Sequence, residues 1–143
     1  MKNKIYSLDN LKKILDQDKK KSLTIVHCHG VFDLLHVGHI KHLKKAKELG
    51  DKLVVTITPD KYVNKGPGRP VFNEILRCES IAAIEFVDYV SISESRTAVY
   101  PIKIIKPKIY CKGKDYKKLK DDLTGEIKNE IKTKKKFRGK IVF

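Results

Sequence analysis

Leu23-Thr-Ile-Val-His-Cys-His-Gly-Val-Phe-Asp-Leu-Leu-His-Val-Gly-His39 sets the fold of this chain. An apolar β-type run, Leu23 to Val26, leads into Gly30, and a helix-like pattern begins near Val37. Asp33, His36, Gly38 and His39 lie between or just inside these elements. A strand-to-helix turn of this kind aims backbone N–H groups and the positive end of a helix at whatever sits above it. Gly30 and Gly38 lack the Cβ that would hold an anion away from the backbone. His36 and His39, three apart, lie on neighbouring parts of the first helical turn, where both can face a phosphate.

The pattern on either side repeats the alternation. Upstream, Leu8, Leu11 and Leu15 have helical spacing and are followed by a charged turn, Gln17–Lys21. Strand one is expected over about 23–29. The helix after it carries Ile40, Leu43 and Ala46 on one face, with Gly50 as its C-terminal cap. Strand two is expected over 52–58, a Gly- and Pro-rich loop over 59–70, a helix capped by Asn73 and reaching about Glu85, and strand three over 88–92. Residues 97–105 read as helix, 108–111 as strand, 122–133 as helix and 140–143 as a last strand. Strands alternating with helices imply βαβ units and a parallel sheet covered on both faces. The expected fold is α/β, a Rossmann-like three-layer domain with a five-stranded, mainly parallel sheet. Residues 1–143 form one domain, with 1–21 as an N-terminal helical extension.

The chain has 143 residues and a formal net charge of +15, from 32 basic and 17 acidic residues. That balance suits phosphorylated ligands, nucleic acid or an anionic surface. The lysines are dispersed, however, and aromatic residues are not interleaved with the basic clusters as base stacking would require, which argues against a nucleic-acid partner. No run is long enough for a membrane span, and the lysine-rich start has no signal-peptide core. Cys28, Cys78 and Cys111 are odd in number and widely spaced, which fits a reduced, cytoplasmic protein.

In a doubly wound sheet, ligands bind at the carboxyl ends of the strands where the strand order reverses. After strand two, Lys65 and Arg69 sit on the glycine-rich loop Lys65-Gly-Pro-Gly-Arg-Pro70, suited to closing over triphosphate oxygens. Arg77 on the next helix can add a bidentate contact. After strand four, Gly113 permits close approach, Asp115 can accept from a ribose or base, and Tyr116 can pack on the ligand. All five histidines fall between His27 and His42. A zinc site shared by two of His36, His39 and His42 is the competing reading, but no Cys-x-x-Cys or His-Glu-x-x-His spacing completes a ligand set.

Gly30-Val-Phe-Asp-Leu-Leu-His-Val-Gly-His39 fills every specified position of G-x-F-D-x-x-H-x-G-H, and so resembles the cytidylyltransferase-like superfamily of nucleotidyltransferases. Lys-Gly-Pro-Gly-Arg-Pro-Val-Phe-Asn-Glu with Arg77 downstream, Val-Asp-Tyr-Val near residue 88, and Lys-Pro-x-x-Tyr-x-Lys-Gly-x-Asp-Tyr narrow the likeness. They look most like the sugar-phosphate nucleotidyltransferases, especially the adenylyltransferase domain of bifunctional heptose-phosphate kinase/adenylyltransferase proteins of lipopolysaccharide-core synthesis. Glycerol-3-phosphate cytidylyltransferase and archaeal-type FAD synthetase are more distantly similar. The resemblance covers nearly all of residues 22–143.

It implies transfer of a nucleoside monophosphate from ATP or CTP to a phosphorylated sugar or polyol, with release of pyrophosphate. By the resemblance His36, His39 and Lys65 are catalytic, the first two holding the triphosphate. Gly30, Val31, Phe32, Asp33, Gly38, Arg77, Gly113, Asp115 and Tyr116 line the nucleotide. Mg²⁺ accompanies the triphosphate, no metal is bound by the protein alone, and a homodimer is plausible. An ionised sugar-phosphate oxygen needs no general base, so positioning and charge neutralisation carry the chemistry. The resemblance also leads one to expect a Ser/Thr-rich helix start after the last strand. The sequence ends at Phe143, before that point, as a domain cut from a longer polypeptide would. Two rivals stay open. A nucleotide-binding module without transfer would release no pyrophosphate, and a nucleic-acid-binding protein would show steep salt dependence on a long polyanion.

Overall fold

A computed structural model of the chain describes residues 3–63, 66–111 and 140–142. In chain order these form α1 (Leu8–Lys20), β1 (Ile25–Gly30), α2 (Val37–Lys47), β2 (Lys52–Ile57), a 3-10 turn (Asp60–Tyr62), α3 (Glu74–Ala82), β3 (Tyr89–Ile92), α4 (Val99–Ile105), β4 (Ile109–Cys111) and β5 (Lys140–Val142). The sheet has five strands in the order β3-β2-β1-β4-β5, and every pairing is parallel. The order reverses between β1 and β4, so the crevice that such a topology opens lies above their carboxyl ends. The fold is the Rossmann-like α/β domain expected from the alternation. The helix expected over 122–133 lies outside the described residues.

Side chains alternate along each strand, which gives the sheet two different faces. Val26, Cys28, Leu53, Val55, Ile57 and Val90 point to one face and pack with Leu43 and Ala46 of α2 and with Cys78 and Ile81 of α3. On the other face Ile25 and Val54 meet Leu8, Leu11 and Leu15 of α1 and Ile105 of α4. Burial of so many aliphatic side chains, at roughly 25 cal/mol per Å² of apolar area, is the main force holding the layers.

The amino-terminal segment is packed into this core. Ile5 bridges Val90 in parallel, and the Val90 N–H and C=O are both used, by the Lys4 carbonyl and the Tyr6 N–H. Helix α1 continues past Leu15 to Lys20, through most of the expected charged turn. The reason is Asp18, which is buried and accepts a 2.7 Å hydrogen bond from the Tyr89 hydroxyl. Helix α2 stops at Lys47 with Glu48 as its C-cap, so Gly50 is not the cap. A Cβ at Gly50 would lie 2.6 Å from Val26 Cγ2 and 2.9 Å from the Thr24 carbonyl oxygen, so glycine is required there by close packing. Helix α3 does start on an Asn73 cap, whose side chain accepts from the Leu76 N–H, but it ends at Ala82.

Candidate active site at the head of helix α2

The turn from β1 into α2 places the two histidines at the helix end. His36 is the N-cap in extended backbone, and its Nδ1 accepts from the Gly38 N–H at 3.0 Å. In return, His39 Nδ1 accepts from the His36 N–H at 3.3 Å. A nitrogen that accepts from a backbone amide carries no proton, so in the neutral rings the proton sits on Nε2 of both. The ring centroids are 4.0 Å apart and tilted by 32°. His36 thereby caps a helix N–H, His39 returns a bond to the N–H of the N-cap residue, and each neutral ring carries its donor on Nε2. Gly38 is needed for this arrangement, because a Cβ there would lie 2.7 Å from His36 Cε1. At Gly30 a Cβ would lie 2.8 Å from the Phe32 ring. Both glycines therefore first make room for protein rings. Phe32 itself is buried, has a φ of 50°, and meets the His39 ring edge-on at 5.5 Å.

Beneath this turn, Asp33 is a clamp. Its carboxylate accepts from the Val71 and Phe72 N–H groups at 2.9 Å each and from Arg69 Nη1 at 3.1 Å. Burial opposes ionisation of this carboxyl, but the amide bonds from Phe72 and Val71, with Arg69 beside them, outweigh it and hold its pKa below the ordinary value. The clamp ties the glycine-rich loop, in which Gly66 and Gly68 have positive φ, to the β1–α2 turn.

Arg77 makes a second tie from α3. Its side chain is fully buried, with Nε donating to the Phe72 carbonyl at 3.0 Å, Nη1 to the Val31 carbonyl at 2.9 Å and Nη2 to Asp60 at 2.6 Å. Asp60 also receives order from the other side, since its N–H donates to Glu74 at 2.9 Å. Arg77 therefore spends its fork on the loops after β1 and β2. It shapes the floor of the site and presents no face to solvent.

On the α4 side of the sheet a row of polar groups approaches the carboxyl edge. His27 Nε2 and His29 Nδ1 both bond Thr56 Oγ1, at 2.7 and 2.8 Å, and His29 Nε2 bonds Thr58 Oγ1 at 3.2 Å. Ser91 on β3 and Ser93 just past its end continue the row, both buried. Sequence reasoning passes over His27, His29, Thr56, Thr58 and Asp60. The available signal is Thr56-Ile-Thr58 at the end of an otherwise aliphatic strand, where hydroxyls at alternate positions mark one face as polar.

Of the expected site residues, Gly30, Val31, Phe32, Asp33, His36, Gly38, His39 and Arg77 come together at this turn. Lys65, Gly113, Asp115 and Tyr116 lie outside the described residues. Among the described residues no group of three His, Cys, Asp or Glu side chains is arranged to hold a metal ion. His42 is half-buried on α2, and burial lowers its pKa. No helix among the described residues is long and apolar enough to cross a membrane. The Val-Asp-Tyr-Val motif serves the opposite edge of the sheet, where Asp88 accepts from the Leu53 N–H at 2.8 Å and pairs with Lys47 at 2.6 Å.

Residues 27–141 match the model of the cytidylyltransferase-like family. The bifunctional protein HldE of Geobacter metallireducens is 43% identical over 115 residues, which are 79% of this chain and 24% of that protein. HldE of Campylobacter jejuni is 46% identical over 116 residues, 80% of this chain and again 24% of the relative. The chain thus spans about a quarter of the length of these curated relatives. Among solved structures, a lipopolysaccharide core biosynthesis protein from Thermoplasma volcanium superposes with a TM-score of 0.66 at 32% identity, covering 84% of this chain and 94% of that one.

Proposed function

This chain belongs to the cytidylyltransferase-like family, and on that premise we propose that it is a sugar-phosphate nucleotidyltransferase. It moves a nucleoside monophosphate from ATP or CTP to an acceptor of the heptose 1-phosphate type and releases pyrophosphate. The observation that carries this reading is the head of α2: two stacked histidines with Nε2 donors, set on a helix N-terminus in the crevice where the strand order reverses. The bifunctional HldE relatives and the lipopolysaccharide core neighbour support a sugar phosphate as acceptor.

The chemistry fits the donor set. A phosphate oxygen of the acceptor attacks the α-phosphorus, the bond from that phosphorus to the bridging oxygen breaks, and pyrophosphate leaves with the electron pair. The acceptor oxygen is already ionised near neutral pH, so no proton has to be removed. His36, His39 and the positive end of α2 stabilise charge building on the α-phosphate and the leaving group, with Lys65 assisting from the glycine-rich loop. Preorganised donors of this kind typically contribute about 3–4 kcal/mol each to transition-state stabilisation.

Mg²⁺ is held in this scheme mainly by the nucleotide. Among the described residues, Asp33 and Asp60, the carboxylates tied to this turn, are already committed to amide and guanidinium donors. The ion would neutralise phosphate charge when bound with the triphosphate.

The test is pyrophosphate release from ATP and from CTP, each with Mg²⁺ and a panel of sugar phosphates, glycerol 3-phosphate and FMN. Release that requires a sugar phosphate and one nucleotide supports the proposal. Release only with glycerol 3-phosphate or FMN would move the activity to another branch of the family. Nucleotide binding without release from any acceptor would overturn transfer and leave a binding module.

A further inference from the structure

The sheet sets two thiols opposite one another under the crevice. Cys28 on β1 and Cys111 on β4 are register partners in adjacent parallel strands, and both side chains belong to the apolar cluster beneath α2 and α3. Neighbouring strands lie about 4.8 Å apart, within the Cα separation of about 4.4–6.8 Å that a disulfide spans. The thiols are reduced and buried side by side. Cys111 is the less deeply covered of the two, 4% exposed against 1% for Cys28, so it is the sulfur that a peroxide reaches first. The third cysteine, Cys78, shares the cluster from α3, but burial pushes its pKa up to about 11.

We propose that Cys28 and Cys111 are a redox site, closed to an intramolecular disulfide by peroxides, that ties β1 to β4 at the floor of the crevice. The Cys111 thiolate attacks one peroxide oxygen, the S–O bond forms, the O–O bond breaks, and the leaving oxygen departs as water once protonated. The Cys28 sulfur then attacks the sulfenic sulfur. An S–S bond forms, the S–O bond breaks, and the hydroxide released takes the Cys28 proton. Two thiols and one hydrogen peroxide give one disulfide and two waters, two electrons passing from sulfur to oxygen. The positions matter because the chain runs from Cys28 directly into His29 and Gly30, and from Cys111 into the Lys112-Gly113 segment. Disulfide closure requires neither nucleotide nor acceptor, so it stands apart from the transfer reaction.

The experiment exposes the folded chain to a few equivalents of hydrogen peroxide, quenches it, alkylates it in denaturant and measures intact mass and peptide map. The expected result is one alkylated cysteine, Cys78, a loss of two hydrogens, and a Cys28–Cys111 linked peptide that dithiothreitol abolishes. Cys28→Ser and Cys111→Ser, each shown folded by circular dichroism, should each fail to form the link. Three alkylated thiols after treatment, a link through Cys78, or cross-linked dimers would each overturn the proposal. So would oxidation that stops at a sulfinic acid on a single cysteine.

Discussion

Replacing Asp33 with asparagine removes one charge and almost no volume, so it isolates the clamp. The carboxylate has a side-chain exposure of 4% and accepts three hydrogen bonds, two from amides and one from Arg69. Asparagine keeps one acceptor oxygen and turns an NH₂ toward a group that is itself a donor. One amide bond survives, the other becomes a donor–donor contact, and the Arg69 bond loses its charge. A bond to a buried charged group contributes about 1.5–3 kcal/mol. The Arg69 partner is 36% exposed and adds no more than about 1 kcal/mol after solvent screening. The expected loss is therefore about 2–4 kcal/mol, or a fall in melting temperature of roughly 5–12 °C for a chain of this size.

Urea unfolding followed by circular dichroism measures this, and the pH dependence supplies a second arm. The folded-state pKa of Asp33 is depressed, so its contribution is fully present above the unfolded value of about 3.9 and is lost as pH falls through the folded value. The stability difference between wild type and Asp33→Asn should hold from neutral pH to about pH 5 and then shrink as the solution is acidified below that. An asparagine variant within about 0.5 kcal/mol of wild type at pH 7 would refute the clamp, because the bonds it breaks are worth several times that amount.

Other expectations follow from the same geometry. His39→Ala should lower turnover at least about a hundredfold in the pyrophosphate assay, as loss of a single preorganised donor does, while its melting temperature changes by only a few degrees. Gly38→Ala places a methyl 2.7 Å from His36 Cε1, so the His36 ring must swing off the helix end; calorimetry should show weaker nucleotide binding with circular dichroism unchanged. Arg77→Met leaves the Val31 and Phe72 carbonyls without a donor, whereas Asp60, 39% exposed, regains water. A loss of about 2–4 kcal/mol is expected in urea titration, and an unchanged midpoint would show that the loops hold without the guanidinium. Lys65→Ala should raise the nucleotide dissociation constant with little effect on stability, again by calorimetry.

The sheet is legible in the sequence because each βα unit carries two periodicities that do not mimic one another. The apolar run Leu53-Val-Val is too short and too β-branched to be read as a buried helix, and Lys140-Ile-Val stands alone after a polar stretch. Element ends are less legible, and for reasons outside any local window. Asp18 prolongs α1 because a tyrosine seventy-one residues away donates to it, and no window around Asp18 contains that tyrosine. Gly50 reads as a helix end because glycine so often stops helices, whereas here it clears Val26 on the neighbouring strand. Both effects are tertiary.

The two histidines are legible because the turn that holds them is local: His36, Gly38 and His39 make their hydrogen bonds to one another within three residues. The charges under them are not. From sequence, a basic residue beside a phosphate motif reads as a ligand for phosphate, and Arg77 fits that reading. In the fold its guanidinium reaches back forty-six residues to Val31, and Asp33 reaches forward to Val71 and Phe72. Each buried charge joins the turn after β1 to the segment that follows β2. The arrangement has a consequence for catalysis by positioning. A donor helps a transition state only as far as it need not reorganise when the charge appears, and the histidines sit on a turn bracketed from below by two charge-assisted hydrogen-bond sets. Loss of either bracket should therefore lower turnover more than it weakens binding of the nucleotide, since ground-state binding tolerates a looser donor than the transition state does.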